Sequence, residues 1–166
     1  MYEQIAANKR KTLLLIGIFV IFIMGLGWAI GEFGNYGSGS IAIAAVISMG
    51  MAVFSYFSGD RVALMTSGAR GPIRQTDNAY LWRMVENLCI AQGQPMPKVY
   101  VIPDPAINAF ATGRDPKHAS VAVTQGALEK LENEELEGVL AHELSHIKNY
   151  DIRVMTVVIV LVGIVS

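Results

Sequence analysis

Charge and cysteine are both scarce in this chain of 166 residues. Charged residues make up only 16% of it, and 13 basic against 14 acidic side chains leave a net charge of −1, which gives no support for a nucleic-acid partner. The single cysteine, Cys89, excludes an intrachain disulfide framework and a metal site built from several cysteines. We interpret Cys89 as a small buried apolar residue.

Apolar residues make up 52% of the chain and are concentrated in long runs. Residues 13–30 and 41–58 carry no charge, and a bilayer core about 30 Å thick needs about 20 helical residues, with about 17 as the lower limit. We therefore predict two transmembrane helices joined by a short loop rich in glycine and serine. A secretory signal peptide is the rival interpretation of the first run, but that run exceeds the usual length of about 7–15 residues and a second span follows directly.

Basic residues indicate the orientation of this helical hairpin. Lys9, Arg10 and Lys11 precede the first span, Arg61 and Arg70 follow the second, and the connecting loop carries no basic residue. Because positive charge stays on the inner side of the membrane, we expect both the N-terminus and the segment after the hairpin to be cytoplasmic.

We accordingly divide the chain into three parts. Residues 1–58 contain the N-terminal tail and the two spans, residues 59–153 form a cytoplasmic domain, and residues 154–166 begin a third apolar helix. Those last thirteen residues rise only about 20 Å as a helix, which is too short to cross. Either they lie against other helices, or the sequence is the front part of a longer protein and stops within this helix. We favour the second interpretation, because Arg153 stands where a cytoplasmic flank belongs.

The cytoplasmic part is predicted to mix helices and strands. Thr76 or Asp77 can cap a helix that runs to about residue 92, and Gly93 ends it. Three short β-rich segments follow, at residues 98–103, 107–112 and 120–124. The last two are expected to form a hairpin, with His118 solvated in the turn between them.

After the third strand the pattern becomes helical. A short helix is predicted over residues 125–132, and Asn133 is expected to cap the next one, with Glu134 and Glu135 in its first turn, where negative charge suits the helix dipole. Helical spacing is seen at Leu136, Val139, Leu140, Leu144 and Ile147.

That helix carries the sequence His142-Glu143-Leu144-Ser145-His146, an H-E-x-x-H motif. Histidines four residues apart share one helix face, so both can bind one zinc ion at about 2.0–2.1 Å. Glu143 lies about 100° further around the helix, beside the metal, where it can accept the proton of a zinc-bound water. We predict His142 and His146 as metal ligands of one Zn²⁺ per chain and Glu143 as the catalytic base.

A third protein ligand, which a catalytic zinc usually has, is harder to find. The position six residues after His146 is Ile152, so an H-x-x-G-x-x-H extension is absent. Asp151 would point about 140° away on a continuing helix and could approach the metal only if the helix ended there. We expect the third ligand beyond Ser166.

The segments INAFATGRDPKHASVAVTQGAL and LEGVLAHELSHIKNYDI resemble the HtpX family of membrane-bound zinc metalloproteases, which is related to the CAAX prenyl proteases. The two N-terminal spans and the apolar run after the motif also match, so the resemblance covers essentially the whole chain. It implies an α+β membrane protein: a transmembrane helical hairpin followed by a gluzincin-like domain with a small β-sheet and the HExxH helix, truncated in a third apolar helix.

The resemblance also implies an activity. It suggests an endopeptidase in the bacterial cytoplasmic (inner) membrane, multi-pass and with its active site facing the cytoplasm, that acts in stress response and in quality control of membrane proteins. His142 and His146 would bind zinc, Glu143 would be the catalytic acid and base, and the third ligand would be a glutamate on a later helix. Asn108, Ala109 and Phe110 resemble the family's edge strand, which would bind substrate by main-chain pairing; an ordinary strand with Phe110 in the core is the other interpretation.

Two classes of function remain open at this point. The first is a zinc endopeptidase whose partners are the lipid bilayer and polypeptide substrates that are unfolded or close to the membrane. The second is a non-catalytic membrane fragment whose zinc site is incomplete because the third ligand lies beyond residue 166, and the activity of residues 1–166 alone stays open. A structural zinc site is disfavoured because such sites have four ligands and are rich in cysteine.

Overall fold

Two long apolar helices open the fold, as seen in a computed structural model that describes residues 2–34 and 39–163. Helix α1 spans Tyr2–Phe33 and helix α2 spans Gly39–Thr66, and both are long and apolar enough to cross a membrane. Large apolar side chains lie exposed along them, including Ile21 at 72% and Phe54 at 52%. Such a surface is costly in water and suits contact with lipid chains.

Both helices extend beyond the predicted spans, and α2 crosses the predicted domain boundary after residue 58. Its last turns bury Leu64, which packs with Ile102 and Ala122 of the β-sheet. The charged residues that follow Ser58 do not end the helix, because the apolar side chain one turn later gives it a surface to pack against.

Helix α3 spans Ala79–Gln92 and is capped at both ends. The side chain of Asn78 accepts a backbone N–H of the first turn, and Gly93 closes the helix in the left-handed conformation, with φ of 64°. The prediction of Thr76 or Asp77 as the cap was therefore wrong, whereas the predicted stop at Gly93 is confirmed. Asp77 instead accepts a backbone N–H of the turn that precedes the helix.

A mixed three-stranded sheet follows. Its strands are β1 (Lys98–Ile102), β2 (Ala109–Gly113) and β3 (Ala119–Thr124). β3 lies in the centre, parallel to β1 and antiparallel to β2, so the predicted hairpin is confirmed and β2 lies at one edge of this sheet. The sheet and its helices give the α+β fold that the sequence indicated.

An aspartate and a histidine pair in the turn between β2 and β3. His118 Nδ1 lies 2.8 Å from Asp115 Oδ1, which also accepts the backbone N–H groups of Lys117 and His118. Burial alone would raise the pKa of Asp115, but the hydrogen bond and charge of His118, with the backbone N–H groups, outweigh it and lower that pKa. His118 is thus exposed, as expected, but held by a carboxylate.

Three helices complete the described chain. They are α4 (Gln125–Lys130), α5 (Asn133–Lys148) and α6 (Asp151–Gly163). The cap of α5 is Glu132, which forms a reciprocal capping box with Glu135. Asn133, the predicted cap, is instead the first helical residue, and its side-chain oxygen accepts the hydroxyl of Tyr80.

The main core lies between α5, α3 and one face of the sheet. The buried face of α5 consists of Leu136, Leu140, Leu144 and Ile147. It packs with Leu81 and Val85 of α3 and with Val121 and Val123 of β3. Ala122, between the two valines, points to the opposite face and meets Leu64.

Helix α6 packs against both apolar helices. Phe19 of α1 forms a buried cluster with Val157 and Leu161 of α6. At the crossing of α1 and α2, Gly27 faces Ala44 so closely that a Cβ on the glycine would lie 2.4 Å from the alanine Cβ. Small residues at this point let the two backbones approach.

Replacing Gly113 at the end of β2 should destabilise the fold. Its φ of 137° is unfavourable for other residues, and a Cβ there would lie 2.3 Å from the carbonyl oxygen of His118. We expect Gly113→Ala to cost about 1–3 kcal/mol in the free energy of unfolding. Gly138→Ala, the matched control on α5, has open space and should instead gain up to about 1 kcal/mol. Thermal unfolding in detergent measures both variants. Equal shifts in their unfolding temperatures would contradict the conclusion that position 113 requires glycine.

Cys89 should report on the integrity of the core. Its side chain is 2% exposed, and burial raises the pKa of the thiol to about 11. Since the thiolate is the reactive form, the folded thiol is slow to react, because only about one part in a thousand is ionised at pH 8. We expect iodoacetamide to label Cys89 rapidly in denaturant and very slowly in the folded chain. Equal labelling rates would mean that the packing around α3 is wrong.

Candidate metal centre

The two histidines of the motif converge on one point. His142 and His146 lie one turn apart on the face of α5 that points away from the core, and their Nε2 atoms are 3.1 Å apart. Two nitrogens bound to one tetrahedral ion at 2.0–2.1 Å would lie about 3.3 Å apart. The separation of the two nitrogens is therefore close to that which a shared metal ion requires.

Helix α5 ends just after these residues, and the chain reverses sharply. Tyr150 adopts a left-handed conformation with φ of 62°, which is unusual for a bulky residue, and α6 begins at Asp151. The Tyr150 N–H donates to the carbonyl of Ile147, which closes the end of α5. The helix therefore does not continue through Asp151, and the condition under which this side chain could approach the site is met.

The reversal brings Asp151 onto His146. Asp151 Oδ2 lies 3.0 Å from His146 Nδ1, on the side of the ring opposite Nε2. A carboxylate in this position fixes the orientation of an imidazole and leaves Nε2 for a metal, although it does not bind the metal itself. This role was not predicted from the sequence; the signal that could have indicated it is an aspartate at the first position of the next helix.

Asn8 of helix α1 contacts the same group. Its Nδ2 donates to the carbonyl of Asn149, at 3.0 Å, and to Asp151 Oδ1. Only 7% of Asn8 is exposed. Nothing in the sequence pattern indicated this contact, because it joins positions more than 140 residues apart.

Glu143 is held between α5 and the edge strand. Its Oε2 accepts the backbone N–H of Ala111 at 3.1 Å. This bond places the carboxylate beside the two histidines, the arrangement that the motif predicts for a base that does not itself bind the metal.

The edge of β2 exposes its backbone at alternate residues. Both Asn108 backbone groups bond to Thr124, so by antiparallel alternation Phe110 also faces β3, whereas Ala109, Ala111 and Gly113 face the open side. The residues predicted to bind substrate thus differ: the main chain of Ala109 is available to a ligand, whereas the main chains of Asn108 and Phe110 face β3.

Helix α6 covers the far end of this edge. Thr156 Oγ1 accepts the N–H of Gly113 at 3.1 Å and lies 2.8 Å from Thr112 Oγ1, and these groups are buried. With Ala111 N–H held by Glu143, the N–H of Ala109 and the carbonyls of Ala109 and Ala111 are the groups that remain turned toward the cleft.

Two cavities meet at Glu143 and Ala109. One, of about 490 Å³, lies on the side of the long apolar helices and is lined by Asn8, Lys11, Phe110, His146 and Met155 among others. The other, of about 570 Å³, lies on the opposite side and is lined by Ile107, Asn108, Leu131, Val139 and His142 among others. Phe110 packs partly on the sheet core and also lines the first cavity, so both interpretations of this residue have a structural basis.

Two of the predicted ligands, His142 and His146, lie among the described residues. In residues 2–34 and 39–163, no group of three or more histidine, cysteine, aspartate or glutamate side chains is placed to hold a metal ion. The third ligand, expected beyond Ser166, stays a prediction.

Comparisons with known proteins agree with one another. The family model described as Peptidase family M48 matches residues 75–166. A protein named "Protease HtpX homolog" from Tropheryma whipplei (strain Twist) is 50% identical over 166 residues, covering all of this chain and 56% of that protein. Proteins of the same name from Lactobacillus acidophilus and Listeria monocytogenes are each 46% identical, covering all of this chain and 56% and 55% of theirs. The chain spans about half the length of these curated relatives.

Removing the carboxylate behind His146 should weaken metal binding. We expect Asp151→Ala to lower the zinc affinity of the detergent-solubilised chain about 10–100-fold, because the imidazole loses the partner that orients it. Asp115→Ala is the matched control, since it removes an aspartate that pairs with a histidine outside the motif. Competition with a chromophoric chelator measures both, and an unchanged affinity in Asp151→Ala would contradict the role.

Proposed function

The chain belongs to peptidase family M48, and from this membership we propose that it acts as a membrane-bound, zinc-dependent endopeptidase. The observation that carries the proposal is the convergence of His142 and His146 on one point, with Glu143 beside them where two cavities meet. A metal-dependent peptidase site needs these parts: metal ligands, a base and space for a chain on either side.

The two histidines would hold the ion through their Nε2 atoms, and a further protein ligand would complete its shell. When bound, zinc polarises a carbonyl and lowers the pKa of water toward 7, which supplies a nucleophile at neutral pH. The rest of the chemistry falls to the side chains of this chain.

Glu143 accepts the proton of the attacking water and later passes it to the leaving amine. The Ala111 N–H holds Oε2, so we assign the accepted proton to Oε1. The carboxyl group then gives this proton to the nitrogen of the leaving amine as the peptide bond breaks, so that one residue serves first as base and then as acid.

The substrate would bind as an extended strand beside β2. Ala109 offers its N–H and its carbonyl to such a strand, and Ala111 offers its carbonyl, so main-chain pairing would position the peptide bond next to Glu143. Unfolded polypeptides adopt an extended strand more readily than folded domains expose one, which favours unfolded polypeptides as substrates.

One half of the cleft favours substrates close to the membrane. The cavity of about 490 Å³ is lined by Lys11 of α1, by Ala63 of α2 and by Val154, Met155 and Ile159 of α6. A polypeptide that enters this half therefore contacts the apolar helices. We propose quality control of membrane proteins, as part of the stress response, as the process served.

We place the protein in the cytoplasmic (inner) membrane of a bacterium, multi-pass, with the site on the cytoplasmic side. Basic and aromatic residues meet where the apolar helices join the site: Lys9 Nζ lies 4.7 Å from the Tyr150 ring centre, and Arg153 lies over the rings of Tyr56 and Tyr150. Such residues concentrate at membrane interfaces. The lipid bilayer and polypeptide substrates are the proposed partners, and no nucleic acid is expected.

Metal content tests the first half of the proposal. With the third ligand supplied, we expect the purified, detergent-solubilised protein to retain about one zinc ion and His142→Ala to lose it, because the remaining ligands hold zinc more weakly. His118→Ala, which removes a histidine outside the motif, is the matched control and should retain the metal. Zinc that persists in His142→Ala would refute this site.

Hydrolysis tests the second half. In protein with the complete set of metal ligands, we expect Glu143→Gln to keep its zinc and to cleave an unfolded, fluorescently labelled polypeptide about 10²–10⁴-fold more slowly, since an amide cannot accept the proton. Glu137→Gln, at an exposed position of the same helix, should leave the rate unchanged. A Glu143→Gln variant as active as the unchanged chain would exclude the proposed mechanism.

A further inference from the structure

Helix α1 does more than provide an apolar segment. Its first turns, before the apolar run at residues 13–30, carry Asn8 on the side that faces the junction of α5 and α6. Asn8 is a polar side chain that is almost completely buried there, and its hydrogen bonds go to that junction.

Both amide hydrogens of Asn8 have a defined acceptor. One goes to the backbone carbonyl of Asn149, at 3.0 Å, and the other to Asp151 Oδ1. The backbone carbonyl of Asn8 accepts the hydroxyl of Thr12 at 2.9 Å, one turn further along α1. The side-chain amide is therefore held at the junction by two hydrogen bonds, whereas the Thr12 bond involves only the backbone of Asn8.

The Asp151 carboxylate is shared between two partners. Oδ1 accepts from Asn8, and Oδ2 faces His146 Nδ1 at 3.0 Å. When each oxygen has a different partner, the carboxylate plane cannot rotate freely. A fixed carboxylate favours the tautomer with the hydrogen on Nδ1, which leaves the Nε2 lone pair toward His142 and the metal.

We propose that Asn8 is a positioning residue of the metal centre, acting through Asp151 to orient His146. This inference rests on the proposed function, in which His146 is a metal ligand. It makes the N-terminal turns of α1 a part of the site, so that metal affinity depends on how α1 sits against the junction.

A purely structural role for Asn8 is the alternative. If Asn8 only stabilised the fold, its hydrogen bond to Asn149 would be sufficient. The apolar cluster of Phe19, Val157 and Leu161 also holds α1 against α6. The bond to Asp151 is the one that links Asn8 to the site. The experiment therefore removes this bond and then restores it with donor and acceptor exchanged.

The test compares Asn8→Ala, Asn8→Asp and the exchanged pair Asn8→Asp with Asp151→Asn in the full, detergent-solubilised chain. Readouts are the zinc dissociation constant, the absorption spectrum of bound Co²⁺, and the thermal unfolding of the metal-free protein. Asn78→Ala, which removes the cap of α3, is the structural control: it should lower thermal stability and leave the first two readouts unchanged.

We expect Asn8→Ala to weaken zinc binding about tenfold, at the lower end of the effect of losing a group that supports a metal ligand, and to alter the Co²⁺ spectrum. Asn8→Asp should weaken it more, because two carboxylates then face each other. The exchanged pair restores a donor opposite an acceptor, with the oxygen of the introduced amide toward His146, and should bind zinc more tightly than Asn8→Asp alone.

Two outcomes would overturn the inference. One is an unchanged zinc affinity and Co²⁺ spectrum in Asn8→Ala and Asn8→Asp while His142→Ala loses its zinc. The other is an exchanged pair that is no better than Asn8→Asp. If instead His142→Ala binds zinc as tightly as the unchanged chain, the metal site of the proposed function has failed, which separates the two cases.

Discussion

The site depends on the burial of one apolar stripe along α5. Its members are Leu136, Leu140, Leu144 and Ile147, each at most 1% exposed. Full burial of such a side chain is worth about 1.5–3 kcal/mol, and successive helical positions are about 100° apart. Once the stripe packs against the sheet and α3, His142 and His146 point away from the core, and Glu143 lies at its margin against the edge strand β2. Burial of the apolar stripe thus determines the orientation of the residues of the motif, and hydrogen bonds only refine their positions.

The reversal after α5 joins this soluble core to the apolar helices. A left-handed conformation at Tyr150 costs about 1–3 kcal/mol and persists only where its surroundings hold it. Here Lys9 and Arg153 both contact the Tyr150 ring, and Asn8 bonds to Asn149 and Asp151, the residues on either side of Tyr150. Helices α1, α5 and α6 therefore meet at one junction, and the candidate metal centre is built on it.

The sequence was informative where contacts are local. Alternation and turn residues predicted the β2–β3 hairpin, Gly93 predicted the end of α3, and the motif placed the histidines on one helix face. The resemblance to the HtpX family is confirmed by the family match and the relatives. The roles of Asn8 and Asp151 could not be predicted, because they depend on a chain reversal and on contacts between distant segments. The cap of α5 was missed for a different reason: Asn133 and Glu132 are adjacent acceptors, and the reciprocal bond with Glu135 decides between them.

The short free edge of β2 has a consequence for the release of a chain. An exposed strand edge is a template on which other polypeptides can add without limit, and proteins shorten or cover such edges to avoid aggregation. Thr156 covers Gly113 and Glu143 occupies the N–H of Ala111, so a visiting strand gains only a few main-chain bonds. Under the proposed function, each unfolded polypeptide would be bound weakly, and the cleaved pieces would dissociate rather than accumulate along the sheet.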